Sequence, residues 1–381
     1  MRVGIFVDSL LEGPLSVKKY LTSLLYEFMY MSLHKVEFVL LLRKTIVDRP
    51  SFLLKRFKNV EVSGSLEAIK NVDILHIPDC GRQAPQIELL RKARHLNIPI
   101  IVTNHGMANI ALHPNIVFGK SLTITLLNSM KELLKWRIVK YFLNIVITPS
   151  ISEKHLVSKA INLSPERIVA IYHGVNHKLY KPIDKNKSRE FLATKYGVVN
   201  EFILHVSIYQ PKKNVERIII AYAMLKKKIG IKEKLVIVGK HPKEKLLELS
   251  AKLGIEPRDI VFVGVVPEED LPYFYSAAKV FVFPSLHESF GMPILEAMAS
   301  ECPVVTSNVF ALSEIAGNAA ILVNPYDIKE IAKAIYDVIT DEELRKELVK
   351  LGLKRARNFT WEKCAREHLN VYLRVYQDDV R

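Results

Sequence analysis

Val280-Phe-Val-Phe-Pro284-Ser-Leu-His-Glu288-Ser-Phe-Gly291-Met-Pro293-Ile-Leu-Glu296-Ala-Met-Ala299 reads as a strand, a loop and the opening of a helix. Val280 to Pro284 is apolar throughout, as a strand covered on both faces should be. Pro293 stands where a first helical residue belongs, because a proline there forfeits no intrahelical hydrogen bond. The N–H groups and macrodipole at such a helix start make an anion site suited to a diphosphate. Gly291 lets the backbone approach that anion, and Glu296, one turn inside, can accept two hydrogen bonds from a vicinal diol such as a ribose. Taken alone, the segment also fits a surface-facing Glu296 and a Glu288 that caps the helix. A hydrolytic carboxylate pair fits less well. Eight residues at ~1.5 Å each span up to about 12 Å, beyond the ~5–9.5 Å such pairs use.

Working outward, short β-branched runs alternate with amphipathic helical stretches, the pattern of parallel sheets covered by helices. Strands are predicted at Val3–Val7, Val36–Leu42, Ile74–Ile77, Ile98–Thr103, Val146–Pro149 and Arg167–Tyr172. A second series falls at Phe202–Val206, Lys234–Val238, Ile260–Val263, Val280–Pro284, Pro303–Thr306 and Ala320–Val323. With 381 residues, too many for one core of ordinary size, the expectation is two doubly wound, Rossmann-like α/β domains facing across a cleft. Lys181-Pro-Ile-Asp-Lys-Asn-Lys-Ser188 is polar and proline-started, as an interdomain linker is. The domains are therefore expected at 1–182 and 183–361, with a terminal helix over 362–381 able to return to the first.

Composition excludes several classes. Hydrophobic residues at 49% and charged residues at 25% rule out a disordered or coiled-coil chain. Cys80, Cys302 and Cys364 are too few and too scattered for a disulfide framework or a CxxC site, which fits a reducing, cytoplasmic setting. The start of the chain resembles a buried strand and not a signal peptide, and no apolar run approaches the ~20 residues that span a bilayer. Of the net charge of +15, residues 1–182 carry +12 (25 Lys/Arg against 13 Asp/Glu) and residues 183–381 carry +3 (30 against 27). The first half is thus the one expected to attract anionic partners.

Missing motifs narrow the chemistry further. No G-x-G-x-x-G follows a strand, which weakens a dinucleotide oxidoreductase. Gly119-Lys120-Ser121 imitates the end of a P-loop, but Pro114 occupies the upstream glycine position and has no N–H to offer a phosphate. There is no Asp-x-Asp pair, no H-E-x-x-H and no G-x-S-x-G, so no metal site, zinc protease or serine hydrolase is indicated.

The anion site has a second half. Pro211-Lys212-Lys213-Asn214 follows the first strand of the second series, and in open α/β sheets ligands bind beyond the carboxyl ends of strands. A solvated turn is the alternative. Together, Glu288 to Glu296 with Phe290-Gly291 between, Pro303-Val-Val-Thr-Ser-Asn308, Leu312-Ser-Glu314-Ile-Ala-Gly317, Phe359-Thr-Trp361, His173-Gly-Val-Asn176 and Thr103-Asn-His105-Gly106 resemble the retaining, metal-independent glycosyltransferases of family 4, or group 1, with the GT-B fold. The resemblance is strong over 200–376 and thinner over 1–180. It implies that Lys213, with Lys212, meets a donor diphosphate, that Glu296 holds the nucleotide ribose, and that Glu288 with the Phe290, Gly291 and Met292 backbone meets the transferred sugar. It also implies that His105 faces that sugar and that Gly13 lets the first loop approach phosphate or acceptor. Two departures stand out: Ile208 replaces an arginine common in the family, and Gly13-Pro14 replaces a pair of glycines.

The resemblance further implies no cofactor. The co-substrate would be GDP-mannose or, second, UDP-glucose, from the wording of Thr306 to Pro325. A glycan or lipid-linked acceptor would engage the first domain. Basic and large apolar residues alternate over 115–145, notably Lys131 to Phe142, as in a helix lying on an anionic membrane surface or in a core helix with snorkelling lysines. Two other classes stay open: a nucleotide-sugar hydrolase or epimerase of this fold, and a non-catalytic protein that binds anionic ligands or nucleic acid. Nucleic acid is not an expected partner, since no recognition motif is present.

Overall fold

The computed structural model describes residues 1–12, 14–31, 36–41, 60–63, 66–80, 85, 87–106 and 122–380. The chain forms two α/β units. The first ends at Gly174 and resumes at Trp361, and the second runs from Val175 to Thr360.

Among the described residues, the first unit holds a seven-stranded sheet of β1 (Arg2–Phe6), β2 (Glu37–Leu41), β3 (Val60–Ser63), β4 (Ile74–Cys80), β5 (Ile100–Asn104), β6 (Ile145–Thr148) and β7 (Ile168–Ala170). Their order is β3-β2-β1-β4-β5-β6-β7. The second unit holds β8 (Phe202–Val206), β9 (Lys234–Val238), β10 (Ile260–Gly264), β11 (Val280–Phe283), β12 (Val304–Ser307) and β13 (Ile321–Val323), in the order β10-β9-β8-β11-β12-β13. Every pairing is parallel. In both sheets the winding reverses beside the first strand, so each has a switch point, between β1 and β4 and between β8 and β11. A crevice opens at such a point because the flanking connections leave in opposite directions.

β11 is buried at all four positions. Val280 and Val282 face a core that includes Ile218, Ile219 and Tyr222 of helix Val215–Lys228 and Ile331 and Ile335 of helix Ile328–Thr340. Phe281 and Phe283 face the other side, and Phe281 meets the Tyr275 ring edge-on at 5.3 Å. Each such side chain contributes about 2–3 kcal/mol of burial, which fixes where β11 ends and its loop begins.

The structure departs from the sequence expectation in three places. The units divide at Gly174 and Val175, eight residues before the expected boundary at 182, because the Val175 N–H is bonded to the Phe359 carbonyl of the second unit. β3 was not foreseen: it is a four-residue edge strand, Val-Glu-Val-Ser, paired to β2 alone. The stretch read as a linker is in part helical. Asp184 accepts a hydrogen bond from the Lys187 N–H and caps helix Lys185–Tyr196. The terminal helix Trp361–Val380 belongs to the first unit, where it packs on helix Leu15–Tyr30.

Candidate functional site

The chain leaving β8 is laced to the chain leaving β9. The Ser207 N–H donates to the Val238 carbonyl at 3.0 Å and the Tyr209 N–H to the Lys240 carbonyl at 2.9 Å. Gly239 permits this contact: its φ is +117°, and a Cβ there would lie 1.9 Å from the Ser207 carbonyl oxygen. A 3-10 turn, Pro211–Lys213, follows and stops at Asn214, which is left-handed with φ 62° and ψ 31°. Asn214 is buried, and its Nδ2 donates to the Pro284 carbonyl at 2.9 Å and the Pro325 carbonyl at 2.7 Å. One asparagine thus ties the loops after β8, β11 and β13 together. A further bond, Leu286 N–H to the Lys212 carbonyl at 2.7 Å, fixes the lysine turn against the β11 loop.

That placement brings Lys213 and Glu288 into contact at the β8/β11 switch point. Lys213 Nζ donates to Glu288 Oε1 at 2.5 Å, with side chains 15% and 12% exposed. The ammonium also lies 4.9 Å from the centre of the Phe283 ring, where the π face attracts a cation. Burial alone would raise the Glu288 pKa, but the charges of Lys213 and Lys212 and the Lys213 hydrogen bond outweigh it and hold the carboxyl at about 2. Burial pulls the Lys213 pKa down, against the opposing pull of Glu288. At neutral pH Glu288 is therefore an anion that only accepts hydrogen bonds.

The helix Met292–Ala299 begins beyond Gly291, whose φ of +104° few other residues adopt. The N-cap position is Gly291, which has no side chain to cap with, and the Glu288 carboxylate is turned to Lys213, so Glu288 is not the cap. Phe290 is buried and meets Phe359 edge-on at 6.1 Å, while Met292 is half-buried as the first helical residue. Glu296 lies on the inward face, not the surface: it is buried and accepts a hydrogen bond from Tyr275 Oη at 3.2 Å. Ile208 is 53% exposed and adds no charge beside the lysines. Among the described residues, no three His, Cys, Asp or Glu side chains gather as a metal would require.

His105 belongs to the first unit, where its Nε2 bonds the Pro78 carbonyl at 2.7 Å and its ring lies 4.7 Å from Tyr20 and 5.6 Å from His173. Burial lowers its pKa to about 4, so the ring is neutral at pH 7. Gly13 and the P-loop imitation at 119–121 lie outside the described residues.

Sequence reasoning missed three residues here. Asn214 and Gly239 carried a signal, since asparagine favours the left-handed region and a glycine closing the apolar run Leu235 to Val238 marks a close backbone approach. Ser285 carried none. Its Oγ is buried beside the site and finds no hydrogen-bond partner among the described residues.

Residues 189–355 match the family described as glycosyl transferases group 1, and residues 31–179 match Glycosyltransferase Family 4. Two relatives come from Escherichia coli. O-antigen chain mannosyltransferase B is 36% identical over 45% of this chain and 45% of its own length. The serotype-specific mannosyltransferase WbdA is 31% identical over 57% of this chain and 27% of its own length. The chain thus spans less than half the length of these relatives. A solved structure, Anabaena Alr3699/HepE in complex with UDP and glucose, superimposes with a TM-score of 0.73 at 17% identity, covering 98% of this chain and 99% of that one. The fold class is that of the GT-B glycosyltransferases.

Proposed function

Because the chain belongs to the glycosyltransferases of group 1, family 4, we propose that it moves a hexose, mannose ahead of glucose, from a nucleotide diphosphate sugar to an acceptor hydroxyl with retention and without a metal ion. The observation that carries this reading is the Lys213–Glu288 pair at the switch point, beside the helix start at Met292. A cation, an anion and the N–H groups of a helix start are what a diphosphate attached to a polyol requires.

In this reading, Lys212, Lys213 and the N–H groups from Phe290 to Met292 take up the charge that grows on the diphosphate as the bond to the sugar's anomeric carbon breaks. Glu288 accepts hydrogen bonds from sugar hydroxyls and Glu296 from the ribose. The acceptor oxygen bonds to the same face of the anomeric carbon, and its proton passes to the departing phosphate. His105 offers a neutral imidazole that can exchange a hydrogen bond with a sugar hydroxyl. The mannose preference rests on the names of the two Escherichia coli relatives, both mannosyltransferases.

The test is a panel of nucleotide sugars offered with candidate acceptors. GDP-mannose should be consumed only when acceptor is present, and Glu296→Ala should raise its KM by about 10- to 100-fold, the worth of a charge-assisted hydrogen bond. Free sugar released without any transfer product would sink the proposal in favour of hydrolysis.

A membrane-borne acceptor is part of the same proposal. In helix Leu122–Val139 and just beyond it, Met130, Leu134, Ile138 and Tyr141 are exposed along one stripe, flanked by exposed Lys131, Lys135 and Arg137, while Trp136 and Val139 are buried. An apolar stripe with cations at its edges suits an anionic bilayer surface. No described helix is long and apolar enough to cross a membrane. Leu134→Asp/Ile138→Asp should abolish co-sedimentation with phosphatidylglycerol vesicles, and equal sedimentation of parent and variant would remove this contact.

A further inference from the structure

The second half of the chain is nearly neutral overall, at +3 over residues 183–381, yet it gathers positive charge in one place. A recess of about 1100 Å³ lies in the second unit, walled by helix Lys185–Tyr196 on one side and helix Glu342–Ala356 on the other. Its floor comes from Glu201, Ala278, Lys279 and Pro303, the residues just before β8, β11 and β12. In a parallel sheet these are the amino ends of the strands. Lys213 and Glu288 lie past the carboxyl ends, one strand length or about 17 Å away. The recess is therefore separate from the Lys213–Glu288 site, and a ligand held in it is independent of the proposed reaction.

Eight cations and three carboxylates line it. Some of that charge is answered: Arg189 and Lys279 pair with Glu201, and Lys346 pairs with Glu342 and Glu343. Arg345 is spent on the Val338 and Ile339 carbonyls. Lys185, Lys350, Lys354 and Arg357 form no ion pair among the described residues, and all four are exposed. Lys346, Lys350 and Lys354 stand four residues apart on one helix face, a spacing at which like charges weaken a helix. A solvated lysine surface explains cations spread over a convex face. It does not explain four cations with no ion pair among the described residues, Lys185, Lys350, Lys354 and Arg357, lining one hollow, where low-dielectric walls concentrate the field.

We propose that this recess binds a compact, multiply charged phosphate anion, a diphosphate or polyphosphate, as a second anion site of the molecule. The concavity selects a small dense anion over a flat surface, and the three flexible lysines with one arginine supply donors to several phosphate oxygens at once. The anion has two sources with the same chemistry: a free polyphosphate, or the phosphorylated headgroup of a lipid.

The experiment titrates inorganic tripolyphosphate into the full chain by calorimetry, in a Lys212→Gln/Lys213→Met/Glu288→Gln background so that the lysine turn does not contribute and no buried charge is stranded. The parent should bind. Lys350→Gln/Lys354→Gln/Arg357→Gln should bind at least about tenfold more weakly, and Lys350→Arg/Lys354→Arg should bind as the parent does. No binding by the parent, or equal affinity in the glutamine variant, overturns the proposal. All three residues are exposed, and if the triple variant still lost its native circular dichroism, Lys350→Gln alone gives the reading, with a loss expected and equality overturning. Vesicle flotation then assigns the source. If phosphatidylcholine vesicles carrying phosphatidylinositol 4,5-bisphosphate, compared with phosphatidylcholine alone, hold the parent better than the glutamine variant, the anion is a headgroup. If they hold both equally while tripolyphosphate does not, it is a soluble polyphosphate.

Discussion

Truncating Lys213 leaves the Glu288 carboxylate buried without its strongest counter-charge, and an uncompensated buried charge costs about 3 kcal/mol. Removing both charges together leaves neither stranded. Lys213→Met should therefore be markedly less stable than Lys213→Met/Glu288→Gln, although the double variant has lost more of the native interaction. Urea unfolding of the four corners of that cycle measures the difference. Equal stability of single and double variants would mean that the pair is solvated and that its 2.5 Å contact carries no weight. Both variants should lose transfer activity, because the diphosphate then meets Lys212 alone.

At the scale of elements, the site exists because three loops are held in one arrangement by a few backbone contacts. Gly239→Ala should cost upwards of about 3 kcal/mol, since its Cβ would meet a backbone oxygen that cannot yield without breaking the Ser207–Val238 bond. Gly197→Ala is the control. Gly197 also has a positive φ, at a helix end, but a Cβ there meets nothing within 4 Å, so strain alone should cost about 1 kcal/mol. Similar losses in urea melts of the two variants would show that the β8–β9 lacing is dispensable. Much at this scale was legible in the sequence. The six strands of the second unit lie within about a residue of their predicted positions, because strands buried on both faces are written as unbroken apolar runs. β3 was not, since a four-residue edge strand carries only one alternation of Val and polar residues. The helix at Lys185–Tyr196 was masked by lysines that face water, although Asp184 held the cap signal. Gly291 and Glu296 were visible because a helix start is a local event. The Lys213–Glu288 pair was not, because nothing within either segment encodes a partner 75 residues away.

For the molecule as a whole, the expected response to acid follows from its histidines. In the first unit, His76 bridges Tyr372 Oη and Thr103 Oγ1 at 2.7 and 2.8 Å, and His368 bridges the Cys364 carbonyl and Tyr20 Oη, both at 2.8 Å. Burial lowers the pKa of His76, His173, His105 and His368, the last two to about 4. The unfolded chain takes up these protons as pH falls through about 6.5, whereas in the folded chain His105 and His368 take them up only near 4, and His76 and His173 are shifted in the same direction. Between those limits the unfolded state holds more protons, so stability falls as pH falls. At about 1.4 kcal/mol per unit, His368 alone accounts for roughly 3 kcal/mol. Glu288 acts in the same direction later, its contribution present above about 4.5 and lost as pH drops toward 2. The melting temperature should be clearly lower at pH 5 than at pH 7.5, and a flat profile would mean that these rings are hydrated and already able to ionise.

The return of helix Trp361–Val380 to the first unit also sets an order of events during synthesis. The second unit is a guest spliced into a host, and its two ends meet where the Val175 N–H donates to the Phe359 carbonyl at 3.1 Å. As the chain leaves the ribosome, the guest is whole once residue 360 has emerged. The host, begun first, cannot seal its core around His76 until helix Trp361–Val380 delivers Tyr372. The half that is translated earlier is thus the half that finishes folding last.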